Sequence, residues 1–598
     1  MTSQPSREDY APNIVALISA RWRDHADAVV MRYADEDDRW IDVTGAEAQA
    51  MVDATAKGLV ARGVEPGQSV GIMARTRIEW SILDVAIWSV GALPVPIYDT
   101  SSASQIDWIT SDADIAFLVV ETAEHAQLAR SVAQDSESPL REILVIDEGC
   151  MDDLRAAGAG IPDSVIAERA ALATLDSPAT IVYTSGTTGR PKGAVLTHLN
   201  FVRHTYGIQE ELDDVLLFDG ASTVLFLTLA HSLARLVEVV LLASGTVIGY
   251  CPDSRKLVPY FASFQPTLIL AVPRVFEKVY NSAEQKAAAG GKVKIFRWAA
   301  KQSIDYSRAL ASPGGASLPL KVRHAIADRL VLSKIREVLG GRARHAISGS
   351  APLGERLGHF YKGLGLQVLE GYGLTEVTAA SHVNRTRLSK IGSVGTALPG
   401  FEVRIADDGE ILMRGDMLFA GYHRNAEATA AAMADGWFHT GDIGHEDDQG
   451  YLYITGRKKE IIVTAGGKNV APAVLEDRLR GYALVSQCVV VGDAKPFIGA
   501  LLTLDAEALP GWLKAHGLPE LTVAEAAADP QVRAHLDKAV ERANGAVSRA
   551  ESIRKWDVLT DDFTVENGYL TPSLKLKRAQ VLRDFADDVE RLYAPAAR

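Results

Sequence analysis

Tyr183-Thr-Ser-Gly-Thr-Thr-Gly-Arg-Pro-Lys-Gly193 is the stretch on which the reading of this chain turns. An apolar run, residues 179–183, leads straight into it and reads as a strand. Gly186 and Gly189 let the backbone approach an anion closely, and Thr184, Ser185, Thr187 and Thr188 crowd hydroxyls onto one short loop. Lys192 adds a cation, so the loop is built to hold phosphate oxygens. It is not the P-loop pattern G-x-x-x-x-G-K-[ST], because Pro191 precedes the lysine and Gly193 follows it. Kinase-like or Ras-like phosphoryl transfer is therefore a poor reading.

Upstream, Ser69–Met73, residues 78–90 and Leu93–Ile97 read as strand, helix and strand, and 117–120 and 143–146 are further short strands. Downstream, 225–229 and 268–272 continue the pattern, which predicts parallel sheets with helices on their faces. From 275 to 339 the texture turns charged and Ala-rich, broken at Ala289-Gly290-Gly291 and between Ser312 and Ser317, which predicts a helical excursion. After about residue 400, turns at Asp408-Gly409 and Asp435-Gly436 mark a small β-rich subdomain, and beyond Gly456 an α+β segment follows.

The chain has 598 residues, 47% hydrophobic and 23% charged, ordinary values for a globular protein with a large core. A net charge of −14 argues against general nucleic-acid binding, which needs a basic footprint. Three scattered cysteines, with no CxxC and no HExxH, exclude a disulfide framework or a zinc site of standard spacing. Residues 224–243 are interrupted by His231, Arg235 and Glu238 and do not read as a membrane span, and the N-terminus does not read as a signal peptide. A cytoplasmic location is expected, with weak peripheral contact at the inner face of the membrane left open.

The Gly/Thr loop resembles the phosphate loop of the adenylate-forming synthetases, which include acyl- and aryl-CoA ligases, firefly luciferases and peptide-synthetase adenylation domains. Further segments agree in order. Ser348-Gly-Ser-Ala-Pro352 is similar to the family's adenine-side loop, here Ser350, Ala351 and Pro352. Glu370-Gly-Tyr-Gly-Leu-Thr-Glu376 resembles its second nucleotide motif, Trp437-Phe-His-Thr-Gly-Asp442 its ribose-holding segment, and Gly456-Arg-Lys-Lys-Glu460 its hinge. The resemblance implies a large N-terminal lobe (1–455) of parallel-rich sheets, helices and the β subdomain, and a small mobile α+β lobe (456–598).

It also implies roles. Glu376 would hold Mg²⁺ on the phosphates and Thr375 would contact the α-phosphate; a carboxylate suits that hard cation. Tyr372, between Gly371 and Gly373, would pack on adenine, Asp442 would bind the ribose hydroxyls, and Arg457 would assist there. Lys575, in Asn567-Gly-Tyr-Leu-Thr-Pro-Ser-Leu-Lys-Leu-Lys-Arg578, matches the lysine bridging carboxylate and α-phosphate, with Lys577 as the alternative. Leu574 stands where many members have glycine, and Gly456 where many have an acid. Rotation about the hinge would bring Gly466 and Gly467 to the site, leaving room for a pantetheine arm.

The apolar helix expected at 236–243 would line an acyl tunnel. His231 matches a position at the family's acyl-site entrance, although a mid-helix histidine is more often simply packed. Val272-Pro-Arg-Val-Phe-Glu-Lys278, followed by the helical excursion, resembles long-chain acyl-CoA synthetases. With few residues following Lys575, no carrier domain is expected, and a peptide-synthetase module is not the expected reading. The expected function is an ATP-, Mg²⁺- and CoA-dependent fatty-acid–CoA ligase, with a fatty acyl-AMP ligase serving a carrier protein as the alternative. A silent fatty-acid-binding protein and a Rossmann dehydrogenase fit less well, the latter because no G-x-G-x-x-G follows an early strand.

Overall fold

A computed structural model describes residues 7–133, 138–184, 190–571 and 575–594. Ser69–Met73 is buried at every position and pairs in parallel with Leu93–Ile97 on one side and Ile115–Val120 on the other; Glu142–Val145 completes a four-stranded parallel sheet. Pro94 and Pro96 explain why Leu93–Ile97 is its edge, since proline cannot donate to a second ladder. Helix Ile78–Ser89 is buried almost all round, as a helix between two layers must be. A second sheet of nine strands runs parallel through its centre, from Val29–Ala34 to Gln367–Tyr372, with antiparallel strands at its edges.

The strand expected at 179–183 is present as Pro178–Thr184; it pairs antiparallel with Lys192–Thr197, outside the parallel sheets, placing Thr184 opposite Lys192. The connection between them is too short for a parallel crossover, which needs a dozen or more residues. The expected strand at 225–229 ends at Leu225; beyond it the Leu227 carbonyl accepts from the Thr76 hydroxyl rather than from a ladder.

The excursion comprises helices Pro273–Ala289, Val293–Leu310 and Leu318–Ala327, the last continuing through a π turn, Asp328–Leu332, into Ser333–Val338. The breaks fall at the glycines and at the Ser/Pro/Gly loop. The β subdomain is a five-stranded antiparallel sheet whose turns carry Gly409, Asp435 and Gly436 at positive φ. The hydrophobic clusters separate near residue 460: three lie within residues 10–454 and two within 462–592. Gly456 itself still belongs to strand Leu452–Arg457, paired with Ile443, so the connection between the two halves is the turn Lys458–Glu460. Cys150, Cys251 and Cys488 are buried and unlinked, and among the described residues no helix is long and apolar enough to cross a membrane.

Candidate active site

A cleft of about 2380 Å³ collects most of the described candidates: Thr184, Lys192, His231, Ser350, Ala351, Pro352, Gly371, Tyr372, Gly373, Thr375, Glu376, Asp442, Arg457 and Lys575 all line it. Ser185, Gly186, Thr187, Thr188, Gly189 and Leu574 lie outside the described residues.

At the phosphate-loop end, Lys192 Nζ sits 5.1 Å from the centroid of the Tyr422 ring. The Tyr422 hydroxyl donates to Glu376 Oε1 at 2.7 Å. The antiparallel pairing of Gly421–Tyr422 with the strand that begins at Lys192 sets this geometry. Glu376 thus has one oxygen held, and among the described residues no cluster of three or more metal-binding side chains exists. One half-buried carboxylate fits Mg²⁺ that takes its remaining ligands from phosphates and water. Thr375 Oγ1 lies 3.2 Å from Ser232 Oγ, tying this loop to the start of helix Ser232–Ser244. The loop is tight: a Cβ on Gly373 would collide with the Ala379 carbonyl. Thr378 (φ +54°) and Ala379 (φ +78°) adopt left-handed backbone beside it, as does Ser350 (φ +71°) across the cleft. Non-glycine residues rarely adopt that conformation, and such strain clusters at functional sites.

At the other end, strand Trp437–Glu446 alternates in burial and turns Asp442 inward. The ladder places Arg457 directly opposite, with its Nε 3.0 Å from Asp442 Oδ1. The Tyr372 hydroxyl donates to Asp442 Oδ2 at 2.6 Å, so the ring is anchored through its hydroxyl rather than merely packed. Burial and the neighbouring Asp442 carboxylate push the Tyr372 phenol well up, so it stays a donor.

Lys575 joins these two ends. Its N–H donates to Thr571 Oγ1 and its carbonyl accepts from Thr571 N–H, closing a small loop from the C-terminal half. The side chain keeps exposed surface, but that surface opens into the cleft. Burial and the Arg457 charge lower its pKa, while Asp442, Glu376 and Glu460 act to raise it, a set that places the ammonium among these cleft carboxylates. Lys577 also lines the cleft; it directly precedes helix Arg578–Asp584, its N–H held by the Tyr569 carbonyl. Gly466 and Gly467 are not brought to the cleft. They cap the hairpin Ile462–Val463/Asn469–Val470, where Lys468 pairs with Glu551 at 3.1 Å within the C-terminal half.

The helix expected at 236–243 starts at Ser232, earlier than expected, and His231 is its N-cap rather than a mid-helix residue. His231 Nδ1 accepts from Leu233 N–H, which leaves the ring proton on Nε2; burial, then Lys575, pull its pKa to about 3, so the ring is neutral. Leu233, Leu236, Val237, Val240 and Leu241 form one face of the helix along the cleft wall, and Ile208, Leu212 and Leu216 also line it. The opposite face carries Arg235, whose guanidinium bonds Asp84 at 2.6 Å and Thr180 Oγ1 at 2.6 Å, and Glu238, which accepts from Ser81.

Tyr422 and Ser232 have no motif of their own, and their partners are distant in sequence; only the pairing of strands and helices reveals them. The contact between the two halves was equally hidden. Glu370 accepts from Leu353 N–H, and burial, with Asp477 adding, pushes it up to about 7. Asp477 is raised to about 6 by burial despite Arg480 beside it. Arg274 reaches Asp505 at 3.5 Å across the same contact.

Residues 18–423 match the AMP-binding enzyme family, and residues 459–597 match the AMP-binding enzyme C-terminal domain. The long-chain-fatty-acid–CoA ligase FadD15 of Mycobacterium bovis is 49% identical over 586 residues, 97% of each chain. The peroxisomal long chain acyl-CoA synthetase 6 of Arabidopsis thaliana is 32% identical over 93% of this chain and 82% of its own. Among solved structures, the adenylation domain of a carboxylate reductase from Mycobacterium chelonae superposes with a TM-score of 0.74 at 23% identity, covering 98% of this chain and 91% of that one. The anthranilate CoA ligase AuaEII with anthranoyl-AMP gives 0.72 at 20% identity, covering 97% and 98%.

Proposed function

The chain belongs to the AMP-binding enzyme family, and from that premise we propose that it is a long-chain fatty-acid–CoA ligase. The observation that carries this reading is the union, in one cleft, of a polar nucleotide end and an apolar wall, with Lys575 and His231 where they meet. A fatty-acid carboxylate laid along Leu233, Leu236, Val237, Val240 and Leu241 would present its head beside them.

In the first step a carboxylate oxygen attacks the α-phosphorus of ATP, forming the acyl–phosphate anhydride bond while pyrophosphate leaves. Two anions meet, so oriented cations supply most of the help. The Lys575 ammonium would lie between carboxylate and α-phosphate, Lys192 would face the outer phosphates, and Thr375 would donate to the α-phosphate. Asp442 would accept from the ribose hydroxyls, with Arg457 holding it ionised. Mg²⁺ held by Glu376 would offset phosphate charge. Neutral His231 would offer its Nε2–H to the acyl carbonyl without adding charge.

In the second step the CoA thiolate attacks the acyl carbonyl carbon, AMP leaves with the bonding pair, and the thiol proton passes to solvent. Rotation after Gly456 would withdraw Lys575 and carry Gly466 and Gly467 from their hairpin to the cleft, admitting the pantetheine arm. The reducing cytoplasm suits the three buried unlinked cysteines.

The test is incubation with ATP, Mg²⁺ and fatty acids of graded length, with and without CoA, with products weighed by mass spectrometry. Acyl-CoA, AMP and pyrophosphate are expected. Acyl-AMP that accumulates despite CoA would assign the acceptor to a carrier protein, and absence of ATP consumption would overturn the reading.

A further inference from the structure

Thirteen large apolar side chains are exposed among the described residues, and six of them lie between residues 295 and 330. Four form a row: Leu318 (74% exposed), Val322 (52%), Ile326 (49%) and Leu330 (49%). Their spacing of four residues keeps them on one side of the helix that begins at Leu318. A row of every fourth residue drifts slowly around an α-helix; the π turn Asp328–Leu332 widens one turn and brings Leu330 back toward the row. Leu310, the last residue of the preceding helix, is exposed as well.

The opposite side of this helix is well anchored. Ala327, Leu332 and Ile335 are buried in the excursion's core, and His324 stacks on Tyr306 and bonds the Gly363 carbonyl at 2.7 Å. The exposed row is therefore not a loosely packed helix with its core face turned out. Single exposed leucines are ordinary, but a continuous apolar row on a rigid helix marks an interaction surface.

Charge identifies the partner. Lys321, Arg323, Arg329 and Lys334 are exposed around the row, and none makes an ion pair among the described residues. The acidic Asp328 is already taken by Arg336 at 2.5 Å. A basic amphipathic surface on a chain of net charge −14 has the composition that seats a helix in the interface of an anionic bilayer. We propose that the face of residues 318–334 is a membrane-docking surface that binds anionic phospholipid, with the apolar row entering the headgroup layer and the four cations meeting lipid phosphates. None of its residues lines the cleft, so it holds or fails separately from the reading of that site.

The test is co-sedimentation of the full chain with vesicles of phosphatidylcholine alone or phosphatidylcholine with phosphatidylglycerol. Binding is expected to require phosphatidylglycerol and to weaken with added salt. Two variants are compared: Lys321→Glu/Arg323→Glu/Arg329→Glu/Lys334→Glu, and Leu318→Gln/Val322→Gln/Ile326→Gln/Leu330→Gln. Each should weaken vesicle binding by about tenfold or more while leaving turnover of a water-soluble short-chain acid unchanged. If the apolar variant fails to fold, the charge variant decides alone, because its side chains are all at the surface. Equal binding to both vesicles, or binding that survives the charge reversal, would overturn the proposal. So would sedimentation showing that the row instead joins two copies of the chain, with no vesicle binding.

Discussion

At Lys575 one ammonium faces a cation, Arg457, and three carboxylates, Asp442, Glu376 and Glu460, inside a partly enclosed cleft. Its value lies in where it stands rather than in packing, so its removal should cost chemistry and spare the fold. Lys575→Ala is expected to slow acyl-AMP formation by about 10²–10³-fold, the scale for one lost electrostatic contact in a preorganised site. The same variant should still make acyl-CoA from supplied acyl-AMP. Rapid-quench measurement of the two half-reactions checks this, and loss of both in a folded protein would sink the role given to Lys575. Glu376 allows a second prediction. Glu376→Gln keeps the shape that Tyr422 bonds but removes the charge, so the Mg²⁺ concentration needed for half-maximal rate should rise; an unchanged Mg²⁺ dependence would refute its part in holding the ion.

Helix Ser232–Ser244 does two jobs on two faces. One lines the cleft, while the other sets Arg235 between Asp84 and the Thr180 hydroxyl, with its guanidinium 5.4 Å from the Trp88 ring centroid. Asp84, Arg235 and Glu238 are each at most 1% exposed. Burial raises the pKa of both acids, and the arginine opposes that in each. Arg235→Met would leave Asp84 buried without its cation and is expected to cost about 3–5 kcal/mol of stability. Urea denaturation measures it; a loss below about 1 kcal/mol would mean that protonation of the acids compensates for the missing charge. Because Thr180 lies on the strand that leads to the Gly/Thr loop, this tie also fixes the apolar cleft wall relative to that strand.

Across the whole molecule, the arrangement of the two halves brings Glu370 and Asp477 together under burial. Their pKa values stand at about 7 and about 6 here, above the ordinary 4.5 and 3.8. A carboxyl whose pKa is raised in one arrangement stabilises that arrangement while it is protonated, below its ordinary value, and the benefit is lost as pH climbs through the raised value. Moving from pH 5 to pH 8 should therefore disfavour the arrangement that places Lys575 in the cleft. The ratio of adenylation to thioester-forming rate is expected to fall over that range, and Asp477→Asn should flatten the fall. A profile unaltered by that substitution would show that the contact does not govern the rotation. None of this was legible beforehand, because Glu370 and Asp477 are more than a hundred residues apart and Asp477 belongs to no motif.

By itself the sequence determined the order of the elements and the chemical vocabulary. Local hydrophobic runs marked the parallel strands, glycines marked the breaks in the excursion, and the motifs named the Lys192, Glu376, Asp442 and Lys575 groups. These depend on neighbours a few residues away, which a linear text displays. Tertiary structure decided which strand pairs with which, and so placed Tyr422 on Glu376, Arg457 on Asp442 and His231 at a helix start. It also decided that Gly466 and Gly467 stand away from the cleft while Lys575 stands in it, and that four apolar side chains of one helix face outward. Such facts follow from register, burial and long-range charge, which exist only once distant segments share a volume.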